Sequence, residues 1–178
     1  MRQNSSMARS ATQKLALAGV FTAVAVAGSF ISFPIAGSKC APVQHMVNIL
    51  AAVLLGPGWG VGMAFCSSLI RNLTGLGSLM AFPGSMVGAL CCGLMYKKTR
   101  NLLATSFAEA IGTGFLGGLC AYPVAKLLMG IQSAGAFAYI VPFLISTVAG
   151  SILAFVLLGL LEKSGVLKQM QTKLTSAL

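Results

Sequence analysis

The sequence predicts an all-α integral membrane protein, a compact bundle of six transmembrane helices with both termini in the cytoplasm. Hydrophobic residues make up 57% of the 178 positions and charged residues only 8%, whereas soluble domains carry roughly 25% charged residues. The mean hydropathy of +0.90 comes from continuous apolar runs rather than two-residue alternation, which favours helices over a barrel. The basic residues lie between these runs.

Polar or Gly/Pro-rich breaks separate the apolar runs. We expect one membrane domain over residues 1–178, with a basic cytoplasmic tail over residues 1–12. The six spans are predicted near residues 15–33, 43–55, 59–73, 79–96, 102–122 and 137–161. The first run is long and no A-x-A-like cleavage site follows it, so we interpret it as a span and not as a signal peptide.

The second and third spans are shorter than the roughly 20 residues that cross a bilayer. Gly56-Pro57-Gly58 is a strong turn signal and predicts that these spans form a tight helical hairpin. The alternative is one long broken helix, which would leave five spans and place the termini on opposite sides of the membrane.

The distribution of positive charge favours six spans. Cytoplasmic loops carry an excess of Lys and Arg, and six spans place nine of the twelve basic residues on one side. The nine are Arg2, Arg9, Lys14, Lys97, Lys98, Arg100, Lys163, Lys168 and Lys173, and the three on the other side are Lys39, Arg71 and Lys126. The side with nine is therefore predicted to be cytoplasmic. The same placement argues against nucleic-acid binding, because the charges form no basic face with interleaved aromatic residues.

Acidic residues are too few for most catalytic chemistry. The chain has two carboxylates, Glu109 and Glu162, and one histidine, His45, so paired-carboxylate catalysis and metal sites lack ligands. The five cysteines have no metal-ligand spacing, and we expect neither a metal nor a cofactor. No G-x-x-x-x-G-K phosphate loop is present, so any ATP-driven activity must come from partner proteins.

Glu109 is the strongest single candidate for function, because an ionised side chain within an apolar helix usually faces a partner or a cavity. A glutamate near the inner interface, protonated or reaching the surface, is the alternative. Lys39, Gln44, His45 and Asn48 cluster around the start of the second span, and the last two share a helical face. They either contact a ligand or form interhelical hydrogen bonds.

Polar and aromatic residues at the other predicted outer helix ends are further candidates. Arg71 and Asn72 end the third span, where an arginine can reach the interface without any other role. In the fourth span Phe82 precedes a proline, which predicts a kink. Tyr122 at the end of the fifth span suits either the interfacial aromatic belt or stacking on a flat ligand.

The first span carries a ridge of small residues. Gly19, Ala23 and Ala27 recur at intervals of four, a spacing that lets another helix approach closely. The ridge serves either packing within the chain or docking of a partner membrane protein.

Five segments of the chain together resemble a known family. They are Lys39-Cys40-Ala41-Pro42-Val43-Gln44-His45, Asn48 to Pro57, Arg71-Asn72-Leu73, Ala81-Phe82-Pro83-Gly84-Ser85 and Glu109-Ala110-Ile111-Gly112-Thr113-Gly114. They are similar to the substrate-binding S components of energy-coupling factor (ECF) vitamin transporters, and within these to the thiazole-specific ThiW family. The resemblance covers residues 15 to about 161.

The resemblance implies a multi-pass subunit in the plasma membrane of a prokaryote that binds its substrate from outside. The subunit docks through small residues of its first helix to a membrane coupling protein, which two ATPases drive. The implied ligand is 4-methyl-5-(2-hydroxyethyl)thiazole, a precursor of thiamine. The alternatives are an S component for another vitamin, such as intact thiamine or a biotin-like one, and a structural membrane protein without a transport role. On this hypothesis Tyr122 or Phe82 packs on the ring, and His45, Asn48 and Glu109 hydrogen-bond its polar atoms. Lys39 and Asn72 lie near the mouth of the site, where the loop of Lys39 acts as a lid.

Overall fold

The computed structural model describes the backbone of residues 2–35, 38–132 and 135–175, and the side chains within these ranges from residue 11 to residue 174. The elements are, in order, helix α1 (Arg2–Ala27), a 3₁₀ turn (Gly28–Ile31), strands β1 (Phe33–Ile35) and β2 (Ser38–Cys40), and helices α2 (Pro42–Leu54), α3 (Pro57–Leu73) and α4 (Ala81–Thr99). Helix α5 (Leu102–Glu109) continues through a π-helical segment (Ala110–Gly117) into α6 (Gly118–Leu127), and α7 (Ile140–Lys163) and α8 (Val166–Thr175) follow.

The molecule is mostly helical, but it contains a short antiparallel hairpin that an all-α prediction omits. Phe33 pairs with Cys40 and Ile35 with Ser38. The N-terminal prediction also needs correction, because α1 begins at Arg2 within the range expected to be a tail. The side chains of Arg2 and Arg9 lie outside the described residues.

Proline and glycine act at helix ends in this fold. Gly56 has φ +87° and Pro57 is the first residue of α3, so the chain reverses between α2 and α3 as the triplet predicts. The kink expected at Pro83 is wrong: α4 begins at Ala81. Pro83 therefore lies in the first helical turn, where its missing N–H would have no partner within the helix.

The π-helical segment packs against α4 through glycines. A Cβ atom on Gly117 would lie 2.8 Å from the Cα of Gly84, and one on Gly112 would lie 2.8 Å from the Cβ of Cys91. The two backbones therefore approach as closely as small residues permit. π-helical turns are rare and frequent at functional sites, and this one directly follows Glu109.

The exterior of the bundle is apolar. Phe107 and Leu160 are about 60% exposed, as are Val141 and Ile152, although a soluble protein avoids contiguous apolar patches of this kind. Three helical stretches are long and apolar enough to cross a membrane, judged by length and composition: Ala11–Ile31, Leu102–Leu127 and Ile140–Lys163.

Helix α2 lies at the centre of the bundle. It is apolar but has only 13 residues, and at about 1.5 Å per residue it spans about 20 Å. Eleven of its residues are buried, including Val47 and Ile49, which are fully enclosed. Its neighbours α3, α4, α7 and α1 separate it from the surroundings.

Candidate functional site

A small cavity lies at the end of the bundle where α2 and α4 begin and α3 ends. Its volume is about 30 Å³, close to the share of one water molecule in the liquid. The lining residues come from β2, α2, α3, α4, the π segment, α7 and the residue before α2: Lys39, Ala41, Gln44, His45, Arg71, Ala81, Gly84, Ser85, Thr113, Phe143 and Ser146. Most of this lining is polar or charged, inside a bundle with an apolar exterior.

A buried carboxylate behind the cavity organises the side chains around it. Glu109 is fully buried, and its Oε1 accepts hydrogen bonds from Asn48 Nδ2 at 3.0 Å and from the Thr113 hydroxyl at 3.0 Å. His45 Nδ1 lies 3.1 Å from the same oxygen. In the tautomer whose Nδ1 carries the proton, Nδ1 donates to this oxygen and Nε2 is left as an acceptor.

Two amide side chains connect this carboxylate to a buried arginine. Asn48 Oδ1 accepts from Gln44 Nε2 at 3.2 Å, and Gln44 Oε1 accepts from Arg71 Nη1 at 3.4 Å. Each amide therefore accepts on the arginine side and donates on the carboxylate side. The amide dipoles point the same way between two opposite charges, an arrangement that strengthens each bond in a low-dielectric interior.

Two polar atoms of this network have no hydrogen-bond partner among the described residues. Arg71 is only 3% exposed, yet its Nε has none, and neither has Glu109 Oε2. Leaving a buried donor unsatisfied costs about 1–3 kcal/mol, and more for a charged group. Arg71 lines the cavity, so an acceptor within the cavity would satisfy its guanidinium.

The spacing of these residues along their helices explains why they meet. Gln44 and Asn48 are four residues apart on α2, so their side chains lie on the same helical face, one turn from each other. On α4, Gly88 leaves space for the network, because a Cβ atom there would overlap the Thr113 hydroxyl and lie 2.8 Å from Glu109 Oε2. Ser85, one turn earlier, accepts from Asn48 Nδ2 at 3.2 Å through its carbonyl oxygen.

The hairpin β1–β2 covers the cavity and is held by three polar contacts. Lys39 Nζ donates to the carbonyl oxygen of Gly75 at 3.2 Å. Cys40 Sγ donates to the carbonyl oxygen of Pro142 at 3.2 Å, and the backbone N–H of Ala41 donates to Ser146 Oγ at 2.8 Å. The strands thus connect to the α3–α4 loop on one side and to α7 on the other.

The structure brings four of the expected site residues together. Lys39 and His45 line the cavity, while Asn48 and Glu109 lie directly behind it. The hydrogen bonds expected of Asn48 and Glu109 are made to protein side chains, so these two orient the residues that face the cavity.

Three expected site residues do not line the cavity. Asn72 Nδ2 donates to the carbonyl oxygens of Ser68 and Ser78 at 2.8 and 3.0 Å, so it closes the α3–α4 loop. Phe82 packs on Phe65, with ring centroids 5.6 Å apart. Tyr122 lies on α6.

The aromatic ring of Tyr122 interacts with a cation on its own helix. Lys126 Nζ donates to the hydroxyl of Tyr122 at 3.3 Å and lies 5.7 Å from the ring centroid. The aromatic residue that does line the cavity is Phe143 of α7. A Cβ atom on Gly84 would lie 2.7 Å from Cε2 of Phe143, so the absence of a side chain at Gly84 leaves room for the ring.

Sequence reasoning missed several cavity residues. Arg71 was expected to reach the interface, but the loop after α3 folds over it: the N–H of Gly77 donates to the Arg71 carbonyl oxygen at 2.7 Å. Thr113 and Ser146 were also missed. The available signal for Ser146 was that it is a polar residue in the most apolar helix. The signal for Thr113 was that it lies four residues after Glu109, one helical turn away.

A second concave surface runs along the apolar exterior between α1 and α3. This groove has a volume of about 1030 Å³. Gly19, Ala23 and Ala27 are exposed and line it, while Ala18, Phe21 and Ala25 of the same helix face the core. Gly58, Gly62 and Cys66 of α3 line its other wall. The small-residue ridge is therefore not used for packing among the described residues.

Within the described residues, no three His, Cys, Asp or Glu side chains come together in a way that would hold a metal ion. Cys40 is 1% exposed, and burial raises the pKa of its thiol. Its hydrogen bond to α7 gives it a structural role.

Comparison with known proteins gives one match, to a protein-family model. The model of the thiamine-precursor transporter protein family (ThiW) matches residues 15–164, which is most of the chain and includes every residue of the cavity and groove. No curated protein and no solved structure matches the chain.

Proposed function

The chain belongs to the ThiW family of thiamine-precursor transporters, and from this membership we propose that it is the substrate-binding S component of an ATP-driven ECF importer. The proposed substrate is 4-methyl-5-(2-hydroxyethyl)thiazole. The observation that carries the proposal is the polar cavity inside an apolar bundle, lined by a buried arginine whose Nε has no acceptor among the described residues. The family and the apolar helices make the chain a membrane protein that transports a thiamine precursor.

The chemistry of the cavity suits a small ring with few polar atoms. Phe143 offers a flat apolar surface next to Gly84. Arg71 has donors for the ring nitrogen or the hydroxyl oxygen, and His45 Nε2 accepts from the hydroxyl group. Glu109 and Asn48 act as positioning residues, because they hold His45 and Gln44 in place from behind.

The volume of the cavity implies that the hairpin moves when the substrate enters. About 30 Å³ is far less than a substituted thiazole needs, since it corresponds to about one water molecule. The lid consists of β1–β2, and opening it breaks the contacts of Lys39, Cys40 and Ala41 described above. Substrate entry therefore replaces these contacts with contacts to the ligand.

We expect six helices to cross the membrane: α1, α2, α3, α4, the continuous α5–α6 and α7. The cavity then opens on the outer side, and both termini lie in the cytoplasm of a prokaryote. The distribution of charge supports this orientation. Lys14, Lys97 and Arg100 line a pocket at the end opposite the cavity, and the helix ends near Lys98 and Lys163 lie on the same predicted side. The short α2 fits this arrangement because other helices surround it.

Isothermal titration of the purified chain with the thiazole, thiamine and biotin tests the substrate. We expect binding of the thiazole and at least tenfold weaker binding by Arg71→Gln and Asn48→Ala, because a hydrogen bond to a charged group contributes about 1.5–3 kcal/mol. Asn72→Ala is the matched control, since it removes an asparagine that closes a loop outside the cavity. Equal affinity in all four proteins would refute the site, and preference for another vitamin would refute the substrate.

The groove is the proposed docking surface for the membrane coupling protein, which two ATPase subunits drive. It is apolar, lies on the exterior, and has small residues on both walls, so a helix can approach closely. Ala23→Leu should abolish copurification with the coupling protein and the ATPases while thiazole binding persists. Val24→Leu, on the same helix but outside the groove lining, should have no effect. Copurification that survives Ala23→Leu would exclude the groove as the interface.

A further inference from the structure

A basic pocket lies at the opposite end of α2 and α4 from the substrate cavity. Its volume is about 500 Å³. It lies between α1, the α2–α3 turn, the end of α4 and α8, and its lining residues are Lys14, Ala52, Val53, Leu54, Leu55, Gly56, Pro57, Tyr96, Lys97, Arg100, Gln171 and Leu174. The substrate site and the docking groove use none of these residues.

The described charged residues around this pocket are all positive. Lys14, Lys97 and Arg100 line it, and no carboxylate does. Among the described residues His45 and Glu109 are the only basic and acidic side chains within 4 Å of each other, so these three cations have no acidic partner in that part of the chain. Three cations around one concave surface attract an anion.

Neutral groups in the pocket add directional hydrogen bonding. Helix α3 begins here, and its N-cap residue Gly56 supplies no side-chain oxygen, so the positive end of the helix dipole faces the pocket uncapped. Gln171 Nε2 donates to the Tyr96 hydroxyl at 2.9 Å and to the Val53 carbonyl oxygen at 3.2 Å. These bonds fix α8 against the rest of the pocket.

Arg100 has a left-handed backbone conformation at the edge of this pocket. It has φ +52° at the C-terminus of α4, a left-handed position where glycine is usual. Its guanidinium lies 5.5 Å from the centroid of the Tyr96 ring. The chain thus keeps an arginine at a position where a glycine would be less strained.

We propose that this pocket binds a phosphate group, and that the phosphate belongs to the headgroup of an anionic phospholipid. The pocket lies where membrane helices end, and Leu54, Leu55 and Leu174 give it an apolar wall beside the cations. Helix α8 packs on the bundle with Leu167 and Leu174, which holds it beside the pocket. Basic pockets between transmembrane helices on the cytoplasmic side bind such headgroups.

The test uses the full chain in nanodiscs that contain phosphatidylglycerol and phosphatidylcholine, with native mass spectrometry of the retained lipid. The triple variant Lys14→Gln/Lys97→Gln/Arg100→Gln should retain phosphatidylglycerol about 100-fold less tightly, since each cation near an anionic lipid contributes about a factor of five. Lys98→Gln is the matched control, because this neighbouring lysine does not line the pocket. Equal retention by the triple variant, or equal loss in the control, would overturn the proposal.

A second arm distinguishes a lipid from a soluble anion. Inorganic phosphate should not displace phosphatidylglycerol from the parent chain, and displacement at comparable concentration would overturn the lipid assignment. Circular dichroism of the triple variant should match that of the parent, which shows that it folds. Titration with the thiazole tests the proposed substrate separately, because the lipid experiment succeeds or fails without it.

Discussion

Gly88→Ala tests the polar network through steric exclusion. The added Cβ would overlap the Thr113 hydroxyl and lie 2.8 and 2.9 Å from the two carboxylate oxygens of Glu109. Overpacking of this kind costs about 1–3 kcal/mol. If Thr113 moves away, its hydrogen bond to the carboxylate is lost as well, at about 1.5–3 kcal/mol. We expect the free energy of unfolding to fall by about 3–5 kcal/mol.

The measurement is unfolding by SDS titration in mixed micelles, with Gly159→Ala as the matched control. Gly159 is also inside a helix, but a Cβ there meets nothing within 4 Å. That substitution should stabilise the chain by up to about 1 kcal/mol, because alanine loses less entropy in a helix. The same change of residue therefore has opposite effects at the two positions. A loss at Gly88 no larger than the effect at Gly159 would refute the close packing.

A double variant locates the source of the loss. Thr113→Ala removes the hydroxyl that obstructs the new Cβ, so Gly88→Ala/Thr113→Ala should be more stable than the sum of the single effects predicts. The expected coupling is about 1–3 kcal/mol, as for other residues in contact. Strict additivity would show that Gly88 and Thr113 do not meet.

Three further predictions concern the hairpin and the end of α4. Ser146→Ala leaves the buried N–H of Ala41 without its acceptor, so the unfolding free energy should fall by about 1–3 kcal/mol and the Ala41 amide should exchange hydrogen faster, as NMR would detect; unchanged exchange would contradict the tether. Burial raises the pKa of Cys40 and so lowers its thiolate fraction at neutral pH, which predicts that iodoacetamide alkylates it more slowly in the closed, folded protein than after unfolding, measured by peptide mass spectrometry. Arg100→Gly relieves about 1 kcal/mol of left-handed strain but loses a cation–π contact with Tyr96 of about 0.5–1 kcal/mol, so stability in the SDS assay should change by less than about 1 kcal/mol.

Local sequence signals predicted the features of the fold that depend on the local chain. Gly56 and Pro57 separate α2 from α3 because their backbone preferences act within a few residues. The shared face of His45 and Asn48 followed from helical spacing. The match of the ThiW model to residues 15–164 confirms the family resemblance.

Features that depend on contacts between distant segments were not predictable in the same way. Arg71 is buried because the loop after α3 folds back over it at Gly77. Its position at a helix end, taken alone, favoured a side chain that reaches the membrane interface. The meeting of Thr113 with Glu109 and Gly88 requires the π segment to lie against α4. Tyr122 and Phe82 have residue types that suit a ligand site, but type does not specify which helix face a neighbour covers.

Helix α3 forms one wall of both the docking groove and the substrate cavity. Ile70 lines the groove and the next residue, Arg71, lines the cavity. A ligand that repositions Arg71 would therefore act on the same helical turn that a partner docked at the proposed surface would contact. Thermodynamic linkage then requires reciprocity: if the partner weakens substrate binding by some factor, the substrate weakens partner binding by the same factor. Release of the substrate and docking of the partner would then be two effects of one movement of α3.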